Sequence, residues 1–145
     1  MKNILLASAM LATTIATVSA QGVPGAHFLE NWDLNQDGKV SLEDAAERRS
    51  DIFTMFDADE NGELSGQEYE LFDTTREEDA ALNAGGQGQG GMRRAQQGLT
   101  LEFNDVDENG VVSKDEFVNK TADWLALIDR NGDGTVTVED FGPMK

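Results

Sequence analysis

Residues 57–68 read DADENGELSGQE, and this stretch decides how the rest of the chain is interpreted. Side chains that carry oxygen alternate with spacers, and Gly62 stands at the sixth of the twelve places, where glycine permits a sharp turn. A loop of this kind can curl around a hard divalent cation, since Ca²⁺ takes about 6–8 oxygen ligands at roughly 2.3–2.6 Å. The oxygen-bearing side chains at places one, three, five, nine and twelve are Asp57, Asp59, Asn61, Ser65 and Glu68.

The same pattern recurs three more times, each time with glycine at the sixth place and valine at the eighth. We name the four stretches loop 1 (33–44), loop 2 (57–68), loop 3 (105–116) and loop 4 (129–140). Repeats of one design are hard to explain as general surface acidity and predict four cation sites. The side-chain oxygens belong to Asp33, Asn35, Asp37, Ser41 and Asp44 in loop 1, to Asp105, Asp107, Asn109, Ser113 and Glu116 in loop 3, and to Asp129, Asn131, Asp133, Thr137 and Asp140 in loop 4.

The four loops resemble the calcium loops of EF-hand proteins. The resemblance implies an all-α fold of helix-loop-helix repeats, with four loops in two halves, and Ca²⁺ as cofactor at up to four sites. It also implies that the seventh residue binds through its backbone carbonyl and that the eighth residues pair two loops in a short antiparallel strand contact. The seventh residues are Lys39, Glu63, Val111 and Thr135, and the eighth residues are Val40, Leu64, Val112 and Val136.

The spacing of the loops predicts how they pair. Loops 1 and 2 start 24 residues apart (57 − 33), as do loops 3 and 4 (129 − 105). The short interval favours one shared helix in each half, about Leu42–Phe56 and about Lys114–Ile128, each spanning roughly 20 Å at 1.5 Å per residue. Loops at opposite ends of one helix cannot meet, so we expect loop 1 beside loop 4 and loop 2 beside loop 3. A new helix capped by Ser50 or Thr121 is the alternative.

The closing residue separates the loops into two classes. Loops 1 and 4 end in Asp44 and Asp140, whereas loops 2 and 3 end in Glu68 and Glu116. Aspartate is one methylene shorter and reaches an ion less readily with both oxygens. We therefore expect weaker sites at the loops closed by aspartate, completed by water or tolerant of Mg²⁺, and tighter sites at the other two.

The first twenty residues have the pattern of a secretory signal peptide. Lys2 precedes an apolar run, and small residues predict cleavage after Ala20. A membrane anchor is the alternative, but the run is short for a span of about 20 residues. These features predict a secreted or periplasmic protein, similar to exported bacterial EF-hand proteins, with its EF-hand domain at 21–145. Its halves, about 26–78 and about 99–142, are joined by a Gly-rich stretch, about 80–98, that we expect to be a flexible linker.

The charge balance excludes some classes of partner. The chain has 11 Lys and Arg against 28 Asp and Glu, a net charge of −17, which becomes −18 when Lys2 leaves with the leader (−17 − 1). Such a chain suits calcium ions or a basic protein partner and is ill suited to nucleic acid or an anionic membrane. It has no cysteine, so bound metal is the candidate for supplementing a small core. We expect the metal-free protein to be loosened.

Nothing in the sequence forms a recognisable catalytic motif, and we expect a binding protein and no enzyme. His27 is the only histidine, and we expect it on a helix surface. Within the Gly-rich stretch, Arg93 and Arg94 are open between solvated linker, partner contact and protease site. Three roles remain open: a calcium sensor, a buffer or metal-stabilised structural module, and a docking module. Loops 1 and 4 also resemble dockerin loops, although loops 2 and 3 close with glutamate.

The apolar residues predict a modest helical core. Ala26–Trp32 has helical spacing of large apolar side chains just before loop 1. Only three methionines lie outside the leader, so we do not expect a methionine-rich groove. The predicted core residues are Phe28, Trp32, Ile52, Phe53, Phe56, Phe72, Phe103, Phe117, Trp124 and Ile128.

Overall fold

A computed structural model describes residues 22–83 and 89–143 of the chain. The expected leader, 1–20, lies outside these residues, as does the 84–88 part of the expected linker, so signal-peptide cleavage stays a prediction. Within the described ranges, no helix combines the length and the apolar character needed to cross a bilayer.

The described chain is mostly helical, which agrees with the predicted all-α class. Two very short strands are the exception. The elements in chain order are α1 (Ala26–Trp32), α2 (Leu42–Phe56), β1 (Glu63–Leu64), α3 (Gly66–Leu82), α4 (Gln89–Gln97), α5 (Leu101–Asn104), β2 (Val112–Ser113), α6 (Lys114–Asn119), α7 (Thr121–Ile128) and a 3₁₀ turn (Val138–Asp140).

The ninth residue of loops 1, 2 and 3 starts the helix that follows. Its hydroxyl accepts the backbone amide of the closing residue, whose carboxylate accepts the amide of the serine in return. This reciprocal capping box satisfies two amides that the first helical turn leaves unpaired, and losing such a cap costs about 1 kcal/mol. The serines are Ser41, Ser65 and Ser113.

The shared-helix prediction is confirmed in the first half and wrong in the second. Helix α2 runs over Leu42–Phe56 without a break. In the second half, α6 ends at Asn119 and α7 begins at Thr121, so Lys120 interrupts the expected helix. The Thr121 hydroxyl donates to the carbonyl of Val118 at 2.5 Å, a local bond of the kind by which threonine competes with helix continuation.

Buried Arg49 of α2 supports the interrupted helix from the other half of the chain. Its Nε and Nη2 donate to the carbonyl of Phe117 at 3.0 and 2.8 Å, in the turn before the break. Its other hydrogen bonds in the described chain reach Gly98 and Asn104, and burial lowers its pKa to about 10. The guanidinium also lies 4.1 Å from the Phe117 ring centroid, a cation–π distance. Arg49 thereby joins the two halves.

The loops pair across the two halves, as the spacing predicted. Strands β1 and β2 are antiparallel, with Leu64 opposite Val112. Val40 and Val136 form an isolated antiparallel bridge, with N···O distances of 2.8 and 3.0 Å. All four eighth residues are fully buried. The pairs are therefore loop 2 with loop 3 and loop 1 with loop 4.

The expectation of a flexible linker at about 80–98 is corrected by helix α4, which occupies much of that stretch. The Trp124 indole donates to the carbonyl of Ala95 at 2.8 Å, and a Cβ at Gly98 would overlap the same indole. Small residues here permit α4 to pack closely against its neighbours. From composition alone, the same residues predicted a flexible segment. Helix α3 also continues to Leu82, past the expected end of the first half.

The predicted core residues all lie in or against the core. Ile52, Phe56 and Phe103 are only partly buried, while the other seven are buried. Trp32 and Trp124, from different halves, lie 4.3 Å apart between ring centroids. The core also holds residues that helical spacing did not predict, among them Ala45, Tyr69, Ala95, Leu99, Leu125 and Phe141.

Candidate metal sites

The four loops share one backbone turn. The sixth residue is a glycine with φ between 83° and 88° in every loop. The fourth residue is also left-handed in every loop: φ is 59° at Gln36, 55° at Glu60, 57° at Glu108 and 73° at Gly132. This conformation costs residues other than glycine roughly 1–2 kcal/mol. Three loops carry this strain at a residue other than glycine. The left-handed conformation turns the amides of the loop toward its first carboxylate.

In loop 2 those amides hold the first two carboxylates in position. Asp57 accepts hydrogen bonds from the amides of Asn61 at 3.0 Å and Gly62 at 2.9 Å. Asp59 accepts from the Asn61 amide at 3.2 Å and from its side-chain nitrogen at 3.0 Å. These hydrogen bonds therefore hold both carboxylates in position without help from an ion.

Glu68 reaches across loop 2 from the first turn of α3. One oxygen accepts the amide of Ala58 at 2.9 Å, and the other accepts the amide and hydroxyl of Ser65 at 2.9 and 2.8 Å. The Ser65 amide, followed by its hydroxyl, lowers the pKa of Glu68 below its ordinary value. The carboxylate is held in its charged form, facing the other two acids.

Loop 3 repeats this arrangement. Asp105 accepts the amides of Asn109 and Gly110 at 3.1 and 2.9 Å, and Glu116 accepts those of Val106 and Ser113 at 3.1 and 2.9 Å. Burial raises the pKa of Glu116, but its hydrogen bonds, led by those from Ser113, outweigh burial and the net pKa is lowered.

These contacts gather three carboxylates in each of the two loops. One oxygen from each acid lies within 4.8 Å of the others. Two oxygens of one calcium shell are at most roughly 5 Å apart, twice the Ca–O distance, so the groups could hold one ion each. Over residues 22–83 and 89–143, no other trio of acids is gathered so closely. The clusters are Asp57, Asp59 and Glu68 in loop 2 and Asp105, Asp107 and Glu116 in loop 3.

Loop 1 has the shared turn without the closed cluster. Asp33 accepts the amides of Asp37 and Gly38 at 3.2 and 2.8 Å. In the described structure, the hydrogen bonds of the Asp44 carboxylate all come from Ser41, with N···O at 3.0 Å and O···O at 2.5 Å. Glu68 and Glu116 reach amides at the start of their loops, whereas the shorter Asp44 does not.

Loop 4 closes in a different way. Asp140 lies in a 3₁₀ turn, and its carboxylate does reach across the loop to the amide of Arg130 at 2.9 Å. However, Asp133 is drawn to Thr135, which donates its amide and its hydroxyl at 2.9 Å each. These two bonds, the amide first, lower the pKa of Asp133. Loops 1 and 4 are therefore unlike each other, although the sequence placed them in one class.

The fifth and seventh places are related in the same way in all four loops. The amide of the seventh residue donates to a side-chain oxygen of the fifth at 2.8–3.2 Å. This bond orients the fifth side chain and places the seventh residue just before, or within, the strand contact. The pairs are Lys39 with Asp37, Glu63 with Asn61, Val111 with Asn109, and Thr135 with Asp133.

Sequence reasoning missed one contact to a predicted site. Arg94, for which the sequence left a solvated linker, a partner contact and a protease site open, donates from Nη2 to the carbonyl of Asp140 at 3.2 Å. The pKa of Arg94 is lowered first by burial and then by nearby Arg130. The sequence signal that could have indicated this contact was the pair of arginines inside an otherwise uncharged stretch.

Comparison with known proteins gives one family match. A family model described as the EF hand matches residues 121–143, which contain α7 and the whole of loop 4. No curated protein and no solved structure matches the chain. The match supports an EF-hand protein and suggests calcium binding, and the two acidic clusters are consistent with that.

Proposed function

We propose that this protein binds Ca²⁺ through all four loops and acts outside the cytoplasm. The observation that carries the proposal is the pair of three-carboxylate clusters, which the β1–β2 contact brings side by side. The family match includes loop 4 and supports calcium binding there, although the loop 4 acids form no such cluster. The signal-peptide pattern of residues 1–20 supports export to a compartment where calcium is plentiful.

The proposed sites fall into an order of affinity. Loops 2 and 3 are the tight sites because their acids are already gathered and fixed. Loop 4 follows, since Asp140 reaches across the loop while Asp133 must turn away from Thr135. Loop 1 is the weakest and the most tolerant of Mg²⁺, because Asp44 leaves the shell open for water.

We further propose that metal binding stabilises the fold. Four Ca²⁺ ions would cancel 8 of the 18 negative charges on the chain without its leader. Without ions, the twelve carboxylates of the four loops repel one another and oppose compaction. Binding energy then becomes folding energy. This supports a buffer or metal-stabilised structural module over a sensor, the role in which Ca²⁺ opens an apolar surface.

Calorimetric titration of the protein with Ca²⁺ tests the proposal. We expect two tight sites and two weaker ones. The variant Glu68→Gln should lose one tight site, while Glu70→Gln, an exposed change in the same helix, should leave the titration unchanged. Absence of bound Ca²⁺ at millimolar concentration, measured by equilibrium dialysis because binding without heat escapes calorimetry, or equal loss in both variants, would refute calcium binding at these loops.

An apolar fluorescent dye separates the two roles. For a buffer or structural module, dye binding should fall when Ca²⁺ is added, because the ions compact the chain. Dye binding that rises with Ca²⁺ would instead assign the protein to the sensors.

A further inference from the structure

The ring of Phe141 ties the end of loop 4 to helix α4. Phe141 follows Asp140 directly and is only 5% exposed. The ring lies between Gly25, just before α1, and Gly91 of α4. A Cβ added to either glycine would overlap ring atoms. The ring therefore fits only because glycine stands at both positions.

Polar contacts at two consecutive residues of α4, Arg94 and Ala95, reinforce this attachment. Arg94 donates to the carbonyl of Asp140 at 3.2 Å, and the carboxylate of the same residue closes loop 4. At the next residue, the Trp124 indole in α7 donates to the carbonyl of Ala95 at 2.8 Å. Because α7 leads into loop 4, α4 is held by the elements on both sides of that loop.

The other side of α4 forms one wall of an apolar groove. The groove has a volume of about 210 Å³ and lies between α1, α2, α3 and α4. Met92, Ala95 and Gln96 line it from α4, facing Phe28 and Trp32 of α1. Movement of α4 away from the core would uncover this groove.

We propose that α4 is a strap whose docking is coupled to metal occupancy of loop 4. A cation in loop 4 fixes the Asp140 carboxylate, and with it the Asp140 carbonyl and the Phe141 ring on which α4 rests. Loss of the ion frees that chain segment, so α4 leaves and the groove opens. The coupling is reciprocal: the factor by which an ion in loop 4 strengthens α4 docking equals the factor by which docked α4 strengthens ion binding. The inference rests on the proposed calcium binding of loop 4.

Two neighbouring glycines of α4 provide a matched test. Gly91→Ala inserts a methyl group into the Phe141 ring, whereas at Gly90 the nearest atom, in the Arg94 side chain, lies 3.7 Å from the added Cβ, an ordinary contact. Alanine favours a helix over glycine at either position, so helix propensity cannot explain a difference. In calorimetric titration, Gly91→Ala should weaken the loop 4 site by about fivefold or more. The tight sites should be unchanged, and Gly90→Ala should match the parent protein at every site.

Hydrogen exchange of the α4 amides tests the opposite direction. At a Ca²⁺ concentration that fills loop 4 of the parent protein but leaves it empty in Asp129→Asn, this variant should speed exchange in α4 by about fivefold or more. Asp57→Asn, the matching change in loop 2, should leave α4 protected. Unchanged exchange in Asp129→Asn with loop 4 empty, or equal effects of Gly90→Ala and Gly91→Ala, would overturn the strap while leaving calcium binding intact. A parent protein that binds no Ca²⁺ would refute the proposed function itself.

Discussion

The two loop pairs have the same backbone and different sites. In the pair of loops 2 and 3, each loop gathers three carboxylates within 4.8 Å. In the pair of loops 1 and 4, the left-handed residues, the glycine turn and the strand contact are all present, yet the acids are not gathered. The shared turn alone therefore does not gather three carboxylates.

The pairs differ in the closing residue and in the third and fifth places, which are Asp then Asn in loops 2 and 3 and Asn then Asp in loops 1 and 4. Glutamate in the first turn of a helix reaches amides at the start of its loop, as Glu68 reaches Ala58. Asp44, in the equivalent turn of α2, reaches only Ser41 among the described residues. Asp140 regains that reach in a 3₁₀ turn. Side-chain length and the type of turn after the loop act together.

Metal removal should have the largest effect of these tests. It empties the tight sites of loops 2 and 3 as well as the weak sites of loops 1 and 4, so the two pairs no longer differ in occupancy. At a Ca²⁺ concentration about 100 times their dissociation constant, two tight sites stabilise the fold by about 5 kcal/mol. Chelation should therefore lower Tm by about 15 °C. Near-UV circular dichroism of the Trp32 and Trp124 pair should fall as their packing loosens. An unchanged near-UV spectrum and an unchanged Tm after chelation would contradict metal-dependent folding.

Shortening a closing glutamate should convert a tight loop into a weak one. In Glu68→Asp, we expect Ca²⁺ affinity at loop 2 to fall by about 30-fold, or about 2 kcal/mol, because the carboxylate no longer reaches the Ala58 amide. Calorimetry would show one tight site moving into the weak class. Glu70→Asp on the outer face of α3 is the control and should have no effect. If Glu68→Asp retains a tight site, closing-residue length is not what separates the pairs.

Lengthening the closing residue of loop 1 is the converse test. Asp44→Glu should raise Ca²⁺ affinity at loop 1 by about tenfold, or about 1.4 kcal/mol, and reduce competition by Mg²⁺. The exposed change Asp51→Glu in the same helix should alter neither quantity. Equal competition by Mg²⁺ before and after Asp44→Glu would show that something other than reach limits this loop.

Most of the fold that depends on spacing was predictable from the sequence. The 24-residue interval predicted the bounds of α2 and the pairing of the loops, although the same interval wrongly predicted one unbroken helix in the second half. Helix α4 was not predictable, since a glycine-rich composition describes a flexible chain and a closely packed helix equally well. The burial of Arg49 was also missed, because its partners are backbone carbonyls and an amide that no periodicity marks.

Prediction of the sites was limited by the same kind of local detail. The pattern located every acid of the two clusters and favoured the loops closed by glutamate. It placed loops 1 and 4 together, because both end in aspartate. The 3₁₀ turn at Asp140 and the added hydrogen bond from the Thr135 hydroxyl to Asp133 depend on short-range geometry that residue spacing does not encode.

A substitution at the fourth place of a loop should give the smallest effect. It tests whether the backbone turn that the four loops share is strained. Gly132→Ala keeps the left-handed φ of 73° but adds a Cβ that meets no neighbouring atom within 4 Å, so only backbone strain changes. We expect the free energy of unfolding in saturating Ca²⁺ to fall by about 1 kcal/mol, measured by urea denaturation. Gly66→Ala, where the added Cβ also meets nothing and φ is not positive, should not destabilise the protein. If Gly132→Ala is equally harmless, the fourth place is not strained. The non-glycine residues there in the other three loops would then carry no cost, and the difference between the loop pairs would lie in their side chains alone.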